Sequence, residues 1–343
     1  MSAADGGVDA GVAGNSACVC IACGEAGIRT LFSATDRLYA TTDKIFRVVE
    51  CRKCRLIRLD PQPSPDELDR YYPSDYWFVP EATAVDGLEQ AYRRFVLRDH
   101  LRFVERALVE SEEQGIVLDV GCGGGLFLQM LSERARGSRL KIRVAGLDFS
   151  LDAAEAAWRR AGVPAVCAHL DRSPLAPASC AAITMFHVLE HLYDPAEYLR
   201  AAHQLLRPEG RLIVQVPNAS CWQFLLFGQH WNGIDVPRHL TDFKLSDLDS
   251  MLDHCGFEVL RHKHFSLRDN PAGMASSLAP SLDPMARRLR HVNEIAPQRL
   301  LKDLLYMALV GGCVPFTLLE AACRAGSTIM VEARKKDSRK KDQ

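Results

Sequence analysis

The chain has 343 residues, 48% of them hydrophobic and 25% charged, the range of a soluble globular protein long enough for about two domains. A formal net charge of -1 offers no general attraction for polyanions, so nucleic acid is not an expected partner. The final basic run "RKKDSRKKDQ" reads as a solvated terminus.

Residues 1–17, "MSAADGGVDAGVAGNSA", have no basic n-region and no continuous apolar core, and are expected to be a disordered leader rather than a secretory signal. The longest uncharged run, Leu304 to Leu319, is sixteen residues interrupted by Gly311, Gly312 and Pro315, short of the roughly 20 apolar residues of a membrane span. A cytoplasmic location is therefore expected, where the twelve cysteines stay reduced.

Two Cys-x-x-Cys pairs, Cys20 with Cys23 and Cys51 with Cys54, flank a stretch that alternates β-branched, aromatic and polar residues as a hairpin does. Each pair offers two thiolates from one tight turn, and four thiolates satisfy tetrahedral Zn(II). Residues 18–60 are thus expected to form a zinc ribbon, with Cys18 a spare beside Cys20. So small a module needs the metal for stability rather than for chemistry. Residues 61–110 follow as a proline- and aromatic-rich linker, Ser64 and Glu67 capping one short helix, and then a packing helix over Leu88 to Glu110.

From Ile116 buried strands alternate with helices, which implies a parallel sheet with helices on both faces and a ligand at the carboxyl ends of its strands. "IVLDVGCGGG" ends one strand in an acid and a glycine turn, but Leu126 stands where a dinucleotide fingerprint has its third glycine. Asp119, two residues before Gly121, would oppose a pyrophosphate and suits an ammonium group. Gly121, Gly123 and Gly125 let backbone approach a ligand, and Asp148 at the next strand end can accept from both ribose hydroxyls. An amino acid joined to a nucleoside through sulfur meets both demands.

In these residues the chain resembles the class I S-adenosylmethionine-dependent methyltransferases: "LDVGCGGG" looks like the first motif, "GLDFS" the second, and "LLRPEGRLIVQVPN" the strand after the fourth helix. The resemblance covers Ile116 to Asn218 and extends more weakly through "MLDHCGFEVLRH". It implies a Rossmann-like α/β sheet within a domain over residues 111–343. It also implies a cofactor site in which Asp119, Gly121, Gly123 and Gly125 flank the methionine part, Asp148 and Phe149 the ribose, and Leu170 with Asp171 the adenine. Phe186 would border the transferred methyl.

"FHVLEHLYDP" follows the fourth strand of that sheet. His187, Glu190 and His191 share one face if a helical turn begins there. His187 or His191 can serve as general base towards a hydroxyl, and His239, from a loop after the fifth strand, is a third candidate. Similar "LEH" motifs occur in ubiquinone-pathway O-methyltransferases and small-RNA 2'-O-methyltransferases, some of which hold a divalent cation through acid-x-x-Glu-His. Here His187 replaces the first acid, and hydrogen bonding to backbone remains an equal reading of Glu190.

Before the last strand, expected at residues 327–335, a helical insertion over about 268–326 carries "LLYMALVGGCVPFTLLEAA". It reads as a hairpin packed on the sheet edge, as a homodimer contact, or as an apolar lid that admits a lipid-linked acceptor at a membrane surface. The reading that unites these features is a cytoplasmic biosynthetic methyltransferase with structural zinc. It would act on a small-molecule, sugar or glycan-type acceptor, with O-methylation favoured and a second divalent cation an open question. Sugar C-methylation, RNA methylation and a zinc-ribbon interaction protein with a structural cofactor site are the alternatives.

Overall fold

The computed structural model describes residues 19–73, 84–138 and 140–336, so the expected leader, Cys18, residues 74–83 of the linker and the end of the basic tail lie outside the described residues. Near the N-terminus β1 (Ile28–Ala34) and β2 (Phe46–Cys51) form the expected antiparallel hairpin, and β3 (Ile57–Leu59) pairs with β2. Helix α1 (Pro65–Asp69) is capped by Ser64, whose Oγ accepts from the Glu67 amide at 3.3 Å. The long α2 (Ala84–Ser111) leads into the second sheet.

That sheet alternates strand and helix: β4 (Gly115–Val120), α3 (Leu126–Arg136), β5 (Ile142–Asp148), α4 (Leu151–Arg159), β6 (Ala165–Cys167), β7 (Cys180–Phe186), α5 (Pro195–Leu205) and β8 (Leu206–Pro217). Then come α6 (Trp222–Phe227), β9 (Thr241–Asp242), α7 (Leu245–His254) and β10 (Phe257–Lys263). The helical insertion forms α8 (Asn270–Leu278), α9 (Pro284–Leu289) and α10 (Ala296–Ala322) before β11 (Thr328–Lys335). Seven strands run in the order β10-β11-β8-β7-β4-β5-β6. β4 to β8 are parallel, and β11 is antiparallel to both its neighbours. The chain leaves β4 towards β5 on one side and β7 on the other, which makes the carboxyl end of β4 the point where a ligand crevice opens.

The first sheet draws its fourth strand from far along the chain. β9 pairs antiparallel with β3 through Ile57 opposite Asp242 and Arg58 opposite Thr241. Phe46, Val48, Ile57 and Leu59 share one buried cluster with Trp231, Ile234 and Leu240 of the loop after β8. The cysteine-bearing hairpin is therefore packed into the body of the protein by long-range apolar contacts.

The uncharged run at residues 304–319 is not interrupted. Gly311, Gly312 and Pro315 lie inside the 27-residue α10, the one helix among the described residues that is long and apolar enough to cross a membrane by length and composition. A proline in a helix interior removes a hydrogen bond and costs about 3 kcal/mol. Packing of Tyr306, Val310 and Cys313 against Ala275 of α8 carries the helix through it.

Candidate active site

At the carboxyl edge of β4 the backbone turns through Gly121, Gly123 and Gly125 into α3, and the amides of Gly121 and Cys122 both donate to the Leu147 carbonyl at 2.7 and 3.2 Å. Gly123 has φ +51°, and a Cβ there would meet nothing within 4 Å, so this turn borders open space. Gly121 differs: its Cβ would stand 2.8 Å from Val188, so the glycine is needed for packing against the loop after β7.

Two carboxylates close this edge. Asp119 faces Thr184 across β4 and β7, and Thr184 Oγ1 donates to Asp119 Oδ1 at 2.5 Å. Asp148 accepts from the Gly123 amide through Oδ2 and from the Ser150 amide through Oδ1, both at 2.9 Å. Burial lifts the Asp119 carboxyl to about 7; the Thr184 hydrogen bond opposes this and the Asp148 charge adds to it. Burial likewise raises Asp148 against its backbone donors. Neither acid forms a salt bridge among the described residues, so two buried carboxyl groups stand beside the open turn. Phe149 extends from it, half exposed, with its ring 6.2 Å from that of Tyr72. Leu170 is buried, whereas Asp171 is exposed beside Arg172 at 3.5 Å.

The cluster after β7 is divided by the backbone. His187 takes φ +57°, and a short 3-10 turn over Leu189–His191 follows, so no α-helical turn aligns the three side chains on one face. His187 Nδ1 lies 3.1 Å from Glu190 Oε1. Its Nε2 is 2.7 Å from the Gln215 side-chain amide, which donates to Asp269 Oδ2 at 2.8 Å, and 3.6 Å from Asp269 Oδ1. Burial disfavours an imidazolium here, but the Asp269 charge and the Glu190 hydrogen bond outweigh it and raise His187 to about 9. The neighbours of Phe186 are Phe127 and His100, with ring centroids 5.1 and 5.0 Å away.

His191 points the other way, towards His239, at a ring separation of 4.7 Å. Nδ1 of His191 is 3.0 Å from the Arg238 carbonyl and 2.9 Å from the Tyr72 hydroxyl, and His239 Nδ1 is 2.9 Å from the Gly233 carbonyl. A ring nitrogen facing a carbonyl carries the proton, which leaves Nε2 as the lone pair of each ring. Burial, followed by the neighbouring His239, lowers His191 to about 4 and keeps it neutral. Glu190 lies between the two groups, 1% exposed, with no hydrogen-bond partner for Oε2 among the described residues. Ligand atoms of Glu190, His191 and His239 lie within 4.8 Å of one another, a spacing open to a metal ion that His187 does not share.

Of the loop after β8, Trp231 is buried in the shared core and Arg238 in a salt bridge, so these side chains do not face an acceptor. Sequence reasoning passed over Thr184, Gln215 and Asp269. Gln215, a fully buried amide within the apolar "LIVQVP", carried a signal of its polar duty. Thr184 and Asp269 gave none.

The four cysteines do come together. Cys20 Sγ is 3.5 Å from Cys54 Sγ and Cys23 Sγ is 3.6 Å from Cys51 Sγ, with all four within 4.8 Å. Gly24 and Arg55, each the fourth residue after the first cysteine of its pair, take φ +71° and +68° and close two equivalent turns. Burial opposes ionisation of Cys51, but the amides of Cys54 and Lys53 and the Cys23 thiol bring it down to about 6.

Residues 91–262 match the methyltransferase domain family, half of the chain. The chain is 33% identical over 149 residues to a "Probable S-adenosylmethionine-dependent methyltransferase" of Mycolicibacterium smegmatis, covering 42% of this chain and 52% of that protein. It is 28% identical over 155 residues to a ubiquinone biosynthesis O-methyltransferase of Pseudomonas aeruginosa, covering 42% and 64%. Thus it spans about half to two thirds of the length of these two relatives. A structure of Burkholderia thailandensis 1,6-didemethyltoxoflavin-N1-methyltransferase with bound S-adenosylhomocysteine is similar at 17% identity and a TM-score of 0.44, over 83% of this chain and 98% of that one. With its glycine turn, its two strand-end acids and half its length matched, the chain belongs to the methyltransferase domain family.

Proposed function

We propose that the protein transfers a methyl group from S-adenosylmethionine to a hydroxyl of a small-molecule or glycan-type acceptor. The observation that carries this reading is the buried pair Asp119 and Asp148 beside the open turn at Gly123. A carboxylate buried without a counter-ion is costly, and an ammonium group on the ligand relieves it at Asp119. Asp148 keeps further lone pairs for ribose hydroxyls after serving two amides, and Gly123 leaves room where any side chain would intrude. When bound, the cofactor supplies an activated methyl on a sulfonium. The protein then has to hold the acceptor in line, exclude water and receive the hydroxyl proton.

Proton removal is the task of the cluster after β7. His187, drawn towards imidazolium by Asp269 and Glu190 and with both ring nitrogens facing protein side chains, is ill suited to accept a proton. Contacts of Nδ1 with backbone carbonyls leave Nε2 of His191 and of His239 as the ring nitrogen available to a ligand, and Glu190 has one oxygen without a hydrogen-bond partner among the described residues. Two rings fixed by backbone carbonyls and one carboxylate suit a divalent cation, which would lower the pKa of a hydroxyl bound to it. Oxygen as the acceptor atom agrees with the activity named for the ubiquinone-pathway relatives. The cysteine quartet we assign to structural zinc. About 2.3 Å from each thiolate, a tetrahedral ion sets sulfurs about 3.8 Å apart, close to the spacings of this site.

The test is to incubate the protein with methyl-labelled S-adenosylmethionine and an extract of its source cells, then to separate small-molecule, glycan, lipid and nucleic-acid fractions. Base-stable label on oxygen in a small-molecule or glycan fraction supports the reading. Label confined to nucleic acid, or on carbon, overturns it.

A further inference from the structure

Asp269 stands at the carboxyl edge of the sheet, on the β8 side of the glycine turn. It directly precedes α8 and meets the end of β8, where Gln215 lies opposite Phe186 of β7. Oδ2 accepts from Ser266 Oγ at 2.5 Å and from the Gln215 side-chain amide at 2.8 Å, and Nε2 of His100, on α2, lies 3.8 Å away. Oδ1 has only longer contacts, with His187 Nε2 at 3.6 Å and Arg268 Nε at 3.5 Å. Of the Asp269 side chain 19% is open to solvent, and of the Arg268 side chain 48%.

The hydrogen bonding around this acid is incomplete. His100 is fully buried, its ring perpendicular to that of Phe186 at 5.0 Å, and neither ring nitrogen has a hydrogen-bond partner among the described residues. Gln215, also fully buried, has none for Oε1. Buried polar atoms in this state mark a place that a ligand or solvent completes. Burial governs the Asp119 carboxyl, but the Arg268 guanidinium acts against that shift, which puts this cation within electrostatic reach of Asp119 as well as of Asp269. The same guanidinium thus serves both sides of the crevice.

We propose that Asp269 and Arg268 hold a hydroxyl adjacent to the one that receives the methyl group, so that the acceptor is a neutral vicinal diol of the kind a sugar ring carries. This rests on the reading of the site as a hydroxyl methyltransferase. A carboxylate oxygen accepts and a guanidinium donates, and a hydroxyl is the group that answers both at once. Asp269 Oδ1 accepts from it, and Arg268 donates to its oxygen. With a guanidinium already 3.5 Å from the carboxylate, an ammonium group would gain little there. Beyond Phe186 the wall is polar, formed by His187, Gln215, His100 and Asp269, which suits a hydroxylated ring better than a flat aromatic one. His100 and Gln215 are positioning residues that act through the Asp269 carboxylate.

The experiment is saturation-transfer NMR on the full chain loaded with S-adenosylhomocysteine, titrated with cyclohexanol or with the vicinal cis-diol of cyclohexane. The diol is expected to bind at least about fivefold more tightly. Asp269→Asn and Arg268→Gln should each bring the two probes within about twofold of one another, the loss of one hydrogen bond, while affinity for S-adenosylhomocysteine stays that of the parent. A parent that does not distinguish the probes overturns the proposal, and so does a preference that either variant keeps. Catechol binding at least as tightly as the saturated diol would assign the pair to an aromatic acceptor and overturn the sugar-type class. Weaker S-adenosylhomocysteine binding by Arg268→Gln would assign the guanidinium to the cofactor instead. A parent that binds no S-adenosylhomocysteine removes the methyl-transfer reading itself, and the proposal with it.

Discussion

Arg238 and Asp36 form a two-pronged ion pair with no solvent exposure of either side chain, Nη2 to Oδ1 at 2.8 Å and Nη1 to Oδ2 at 3.0 Å. Asp235 takes the remaining edge of the guanidinium at 2.6 Å, and the ring of Tyr39 lies under it at 4.5 Å. Asp36 lies between β1 and β2, whereas Arg238 precedes His239 and offers its carbonyl to His191. One buried contact thus joins the cysteine-bearing hairpin to the loop that sets two histidines.

Removing one member strands the other. Asp36→Ala leaves a buried guanidinium with half its partners, and the expected loss is about 3 kcal/mol of stability, read as a lower urea midpoint at unchanged slope. The same variant should bind added Mn(II) more weakly while its affinity for S-adenosylhomocysteine holds. A separate thermal transition for the hairpin would contradict this coupling.

The cysteine site predicts about one zinc per chain by elemental analysis. Cys51→Ser should lose the metal and, through the β3–β9 pairing, lower the stability of the whole chain rather than of the first sixty residues alone. Equal melting of parent and variant would count against a structural metal.

Asp119 gives ligand stabilisation a pH dependence. Its folded value of about 7 exceeds the unfolded value of about 3.9, so its contribution to stability is complete below the unfolded value and is lost as pH rises through 7. A bound ammonium favours the charged acid and restores that loss. Added S-adenosylhomocysteine should therefore raise Tm more at pH 8 than at pH 5.5, and Asp119→Asn should flatten the difference. A rise that is larger in acid has the wrong sign.

Gly123→Ala separates strain from obstruction. Its positive φ costs an alanine about 1–2 kcal/mol, and no protein atom lies in the way. The stability loss should stay in that range, while affinity for S-adenosylhomocysteine falls by at least about tenfold, more than 1.4 kcal/mol. Parallel, equally small losses would mean that the ligand lies elsewhere.

Local patterns in the sequence carried the alternating strands, the glycine turn with its acids and the paired cysteines, because each depends on residues a few positions apart. Long-range packing was not legible. Arg238 and Asp36 are 202 positions apart, and the two-residue β9 has no periodicity to reveal it. The spacing of His187, Glu190 and His191 suggested one helical face, but the positive φ of His187 sends its ring to Gln215 and Asp269 instead. In α10 an apolar run with two glycines and a proline looked broken, because support from α8 is tertiary.

The most direct test is calorimetric titration of S-adenosylhomocysteine into the protein and into Asp119→Asn and Asp148→Asn. Saturable one-to-one binding to the parent, weakened at least about tenfold in each variant, is the predicted result. Absence of binding, or binding that neither substitution changes, would contradict the placement of the nucleoside ligand at the ends of β4 and β5.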